Sequence, residues 1–123
     1  MKKRILVVDD DPSIRKLLIV NLSAEGYEVE AVENGKEALA FLQEKKVDII
    51  VLDIMMPEKD GWEVCKSIRD AEYETKQKII ILTARDTTRD KMIGKSFFQA
   101  DEYITKPFDI DELLAVIAKL IKE

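Results

Sequence analysis

The chain has 123 residues, a formal net charge of -5, no histidine and one cysteine, with 46% of its residues hydrophobic and 37% charged. Such a length supports one core burying roughly two thirds of the unfolded surface, and such a composition excludes disordered and fibrous classes. The single cysteine, Cys65, excludes an internal disulfide or a thiolate metal site and leaves a reducing, cytoplasmic setting as the expectation, while the acidic balance argues against direct binding of nucleic acid.

The first residues, Met1-Lys2-Lys3-Arg4, imitate the charged start of a secretory leader, but the apolar run behind them ends at Val8, short of the ~7 residues a leader's core needs. No later stretch is apolar enough for a membrane span, so no membrane partner is expected. The run ILVV at 5–8 is continuous and rich in β-branched residues, which predicts a strand covered on both faces, and IIVL at 49–52 and IIIL at 79–82 repeat the pattern. Two weaker strands, EVEAV at 28–32 and EYIT at 102–105, begin with charges and belong nearer the sheet's edges.

Helical stripes fill the intervals: Ile14, Leu17, Leu18 and Leu22; Ala38, Leu39 and Leu42; Val64, Cys65 and Ile68; and, in the last helix, Ile110, Leu113, Leu114, Ile117, Leu120 and Ile121. That last helix begins Asp109-Ile110-Asp111-Glu112, an arrangement able to satisfy two free N–H groups. Gly94 lies inside the expected fourth helix and costs about 1 kcal/mol relative to alanine. Five strands alternating with five helices predict one α/β domain over 1–123, mostly parallel, with helices on both faces and no output domain.

Ligands of open α/β sheets sit outside the carboxyl ends of the strands, so the residues ending each strand matter most. The first ends in Asp9-Asp10-Asp11, the third in Asp53, the fourth in Thr83-Ala84 and the fifth in Lys106-Pro107. Clustered carboxylates repel one another by several kcal/mol at an effective dielectric near ~20, and a hard divalent cation relieves this. Oxygen donors without histidine or cysteine favour Mg²⁺, with Mn²⁺ as the alternative. Three carboxylates, one dication and the Lys106 ammonium sum to zero, so an incoming phosphoryl group meets no net repulsion. The Thr83 hydroxyl and the Ala84 amide are donors for it. Each residue also has an ordinary reading: Asp11 before Pro12 is an N-cap followed by proline at N1, and Asp53, Thr83 or Lys106 alone proves nothing. Their joint placement carries the weight.

The stretches "ILVVDDDP", "VDIIVLDIMMPEKDGWEV", "IIILTA" and "YITKPF", in this order and at this spacing, resemble the receiver domain of two-component response regulators along essentially the whole chain. The resemblance implies a flavodoxin-like (βα)5 fold with sheet order 2-1-3-4-5, an order given generally for this type of sheet. It implies Asp53 as phosphoacceptor, Mg²⁺ held by Asp9, Asp10, Asp53 and the carbonyl of Met55, and Thr83 and Lys106 as contacts of the phosphoryl oxygens. It further implies a cis Lys106-Pro107 bond and a switch built on Thr83 and Tyr103 that alters the surface from the fourth helix to the fifth. A structural reading of Tyr103 as a half-buried edge aromatic stands beside the switch.

The implied partners are a sensor histidine kinase or a histidine phosphotransfer protein, since a chain without histidine cannot supply the donor itself, and the domain would promote its own phosphorylation and dephosphorylation. A downstream partner or output domain and a phosphorylation-dependent homodimer stay open. Where the family often has Gly-Ala ahead of the acidic pair, this chain has Gln99-Ala100, with Phe97-Phe98 before it. The rival from another class is an aspartyl-nucleophile phosphatase of haloacid dehalogenase type. Asp9 and Asp11 formally meet its Asp-x-Asp spacing, but "LDIMMPEKDG" goes unexplained by it and there is no room for a substrate cap domain.

Overall fold

Continuous apolar runs are stable as strands only where a layer covers each face, and this chain supplies both layers. The computed structural model describes residues 2–54, 61–70, 77–84, 92 and 100–122. In it β1 (Arg4–Val8), β2 (Glu28–Val32), β3 (Ile49–Leu52), β4 (Lys78–Thr83) and β5 (Glu102–Thr105) form one sheet of order β2-β1-β3-β4-β5. Every neighbouring pair is parallel. The two charged strands, β2 and β5, are the edges, as their sequences predict. The order is that of a flavodoxin-like domain.

The helices are α1 (Pro12–Ala24), α2 (Gly35–Glu44), α3 (Gly61–Asp70) and α4 (Ile110–Lys122), the last being the fifth in the sequence-based expectation. The expected fourth helix, with Gly94, Phe97, Phe98 and Gln99, lies outside the described residues except for Met92. Strand alternation sorts the core into two layers. Ile5, Val7, Ile49, Val51, Ile80 and Leu82 meet Leu18 and Leu22 of α1 and Leu113 and Ile117 of α4. On the other face, Leu6, Val8, Ile50, Leu52, Ile79 and Ile81 meet α2 and α3 through Ala38, Leu42, Val64, Cys65 and Ile68. Each fully buried aliphatic side chain contributes roughly 1.5–3 kcal/mol relative to exposure, so the central strands anchor the fold.

Local chemistry fixes where the helices begin. The Asp11 carboxylate accepts from the Ser13 amide at 2.9 Å and Pro12 opens α1, as read from the sequence. Asn34 caps α2 by accepting from the Glu37 amide, and Glu37 Oε1 accepts from the Glu33 amide. Asp109 accepts from the Asp111 amide at 2.8 Å, an N-cap bond to the second residue of the last helix. Beyond the Glu25 cap of α1 comes Gly26, whose φ of 93° is left-handed; glycine takes that conformation without steric cost and turns the chain into β2.

One expectation needs correcting. Leu17 was assigned to the buried stripe of α1, but it is 42% exposed, as are Ile19 and Val20 to similar or greater extent. Only the Leu18 and Leu22 line is fully covered, because the sheet meets a narrow strip of this helix. Among the described residues, no helix is long and apolar enough to cross a membrane.

Candidate functional site

Four of the strands that end in polar residues are neighbours in the sheet, and the ladder continues one residue past three of them. The Asp9 amide donates to the Val32 carbonyl, the Asp53 amide to the Val8 carbonyl and the Lys106 amide to the Thr83 carbonyl. The backbones carrying these side chains are therefore registered to the sheet and do not depend on loop conformation. Thr83 is itself paired with Thr105, the residue before Lys106.

Asp9, Asp10 and Asp53 offer carboxylate oxygens that all lie within 4.8 Å of one another. Asp9 and Asp53 are buried, whereas Asp10 is exposed. Lys106 Nζ donates to Asp9 Oδ2 at 2.7 Å and to Asp53 Oδ2 at 3.1 Å, so one ammonium bridges two buried acids. The second Asp9 oxygen, Oδ1, accepts from the Asp11 amide at 2.9 Å. The Lys106-Pro107 bond is cis.

Burial pushes the Asp9 carboxyl above its ordinary value; the Lys106 and Asp11 hydrogen bonds and the Lys106 charge oppose this incompletely, and the Asp53 charge adds to it. For Lys106, burial favours the neutral form, but the Asp9 hydrogen bond and the charges of Asp53 and Asp9 outweigh it and raise its pKa. The two shifts have different causes, burial for Asp9 and the neighbouring acids for Lys106. A donor set of three carboxylates grouped this closely fits a hard divalent cation.

Thr83 is fully buried and, among the described residues, its Oγ1 has no hydrogen-bond partner. A buried hydroxyl left unsatisfied costs about 1–3 kcal/mol, so a ligand acceptor fits beside it. Ala84 follows at the end of β4, exposed. Tyr103 is buried at 9% exposure, on the sheet face that α2 and α3 cover. Met55 lies outside the described residues.

The sequence-predicted residues Asp9, Asp10, Asp53 and Lys106 thus converge, while Asp11 serves as a cap. Sequence reasoning passed over Arg15, whose Nη1 donates to the Asp9 carbonyl at 2.8 Å. A signal for it existed: a cation in the opening turns of a helix opposes the macrodipole and so calls for a specific acceptor.

Fold and site together define the class, a doubly wound α/β domain whose carboxyl edge carries a cluster of acids compatible with a metal and crossed by a lysine. The chain belongs to the response regulator receiver domain family, whose family model matches residues 5–118. It is 43% identical over 122 residues to the response regulator MprA of Mycolicibacterium vanbaalenii, a match covering 99% of this chain and 52% of that protein. The chain therefore spans about half the length of this curated relative. Among solved structures it resembles the response regulator protein TrrA of Thermotoga maritima in complex with Mg²⁺-BeF, with 46% identity, a TM-score of 0.82, and 96% and 98% of the two chains covered. A Francisella response regulator receiver domain is similar at 36% identity and a TM-score of 0.90, covering 98% of each chain. The haloacid dehalogenase alternative finds no support in these matches, and the second acid of its motif, Asp11, is engaged as a helix cap.

Proposed function

We propose that this domain is a phosphorelay receiver in which Asp53 accepts a phosphoryl group from a phosphohistidine on a sensor histidine kinase or a histidine phosphotransfer protein. The observation that carries the proposal is the Lys106 ammonium shared between Asp9 and Asp53 beside a third acid within 4.8 Å. In the reaction an Asp53 carboxylate oxygen bonds to phosphorus as the phosphorus–nitrogen bond breaks, the electron pair leaves with the donor imidazole, and an acyl phosphate remains. Lys106 holds the carboxylate in place and then meets the phosphoryl oxygens, and the Thr83 hydroxyl and Ala84 amide donate to them.

Asp9, Asp10 and Asp53, with the Met55 carbonyl, would hold Mg²⁺, or Mn²⁺ in its place, which supplies neutralisation of charge on the transferring group. The Mg²⁺-BeF complex of the relative TrrA supports that choice. A water in line with the acyl phosphate returns the domain to its starting state. Thr83 and the buried Tyr103 form the switch, in which the phosphoryl group binds one arrangement better than the other and alters the surface from the expected fourth helix to the last. The setting is cytoplasmic, the partners are proteins and not nucleic acid, and a homodimer is a candidate form of the phosphorylated state.

The test is incubation with Mg²⁺ and acetyl phosphate. Wild type should gain acid-stable, base-labile phosphate and Asp53→Asn should not. The reading fails if wild type gains none or the variant gains as much.

A further inference from the structure

Arg15 is the fourth residue of α1, a helix with no acidic residue in its first turn. Positive charge is disfavoured near a helix N-terminus, so its placement there requires a compensating contact. The contact is the 2.8 Å hydrogen bond from Arg15 Nη1 to the Asp9 carbonyl oxygen. That oxygen belongs to the peptide unit joining Asp9 to Asp10, and the unit is planar. Clamping the oxygen sets the direction in which the chain leaves towards Asp10. On either side the chain is already held, by the Asp9 amide on the Val32 carbonyl and the Asp11 amide on Asp9 Oδ1. The Asp10 carboxylate is exposed, so its aim depends on this backbone.

We infer that Arg15 is a positioning residue for the acidic pair: its guanidinium fixes the peptide between Asp9 and Asp10 so that both carboxylates address one divalent cation. The inference rests on the metal reading of Asp9, Asp10 and Asp53. Lys106 and Arg15 divide the work, the lysine holding the Asp9 and Asp53 side chains and the arginine the main chain.

The sign of the effect separates positioning from charge. A guanidinium beside a dication repels it, so by charge alone Arg15→Ala would bind metal more tightly. By positioning it binds more weakly, and loss of groups that orient metal ligands typically lowers affinity 10- to 100-fold. The experiment titrates the unphosphorylated domain with Mn²⁺ alone and follows the free ion by electron paramagnetic resonance. Arg15→Ala should bind about tenfold more weakly, and Arg15→Lys, which keeps a charged donor, should fall between it and wild type. Melting in the presence of EDTA establishes that each variant is folded. Arg15→Ala binding Mn²⁺ as tightly as wild type, or more tightly, overturns the inference while leaving the metal reading intact. A folded wild type that binds no Mn²⁺ overturns the metal reading and this inference with it.

Discussion

The two ends of the sheet handle charge in opposite ways. At the amino ends, opposite charges are matched and their hydrogen bonds filled. The Arg4 amide donates to Asp48 Oδ2 at 2.8 Å and its side chain to Glu28 and to the Lys46 carbonyl. Arg69 donates to the Gln77 carbonyl and to Asp101, whose same oxygen accepts from the Ile79 amide. At the carboxyl ends, one ammonium serves two buried acids, a third acid lies beside them, and, among the described residues, a buried hydroxyl has no partner. One sheet thus uses one edge for stability and leaves the other unsatisfied, as expected where groups wait for a ligand.

Substitutions should break this contrast in a graded way. Lys106→Ala removes the only cation in contact with Asp9 and Asp53 among the described interactions. Acyl phosphate formation from acetyl phosphate should fall by at least about a hundredfold, measured as the initial rate of phosphate incorporation. Arg69→Ala should do the reverse, lowering stability by about 2 kcal/mol in urea melts without changing that rate. This is less than for a fully buried pair, because the Asp101 side chain keeps 26% exposure.

The share of this that could be read from the sequence follows the range of the interactions. Strand runs, the edge positions of β2 and β5, and the Asp11-Pro12 helix start are local patterns and were legible. So was the convergence of Asp9, Asp10, Asp53 and Lys106, because parallel strands alternating with helices bring every carboxyl end to one edge. The Arg69 pairing with Asp101 spans 32 residues and depends on how α3 meets β5, which no local pattern encodes. Arg15 was missed because its acceptor is a main-chain oxygen, invisible in side-chain chemistry. Leu17 was misassigned because the periodicity of an apolar stripe does not say how wide a strip the sheet covers.

Smaller effects sharpen the same comparison. Thr83→Val exchanges the orphaned hydroxyl for a methyl of similar shape. It should raise stability by about 1–2 kcal/mol in urea melts while lowering the steady level of acyl phosphate severalfold. Cys65 tests the interior between the two edges. Burial pushes its thiol from 9.0 up to about 11 against the pull of Arg69. The folded state holds this proton more tightly, so the contribution is complete below the unfolded value and is lost as pH rises towards the folded one. Wild type should lose about 1 kcal/mol relative to Cys65→Ala between pH 8 and pH 10, read from urea melts at the two pH values.

The central claim is that the unsatisfied edge exists to phosphorylate one particular acid. Borohydride reduction of the acyl phosphate, followed by peptide mapping, identifies the acid that carried it. Homoserine at position 53, formed with Mg²⁺ and absent after EDTA, is the predicted result. Homoserine at position 9 or 10, or modification unaffected by EDTA, would contradict the account.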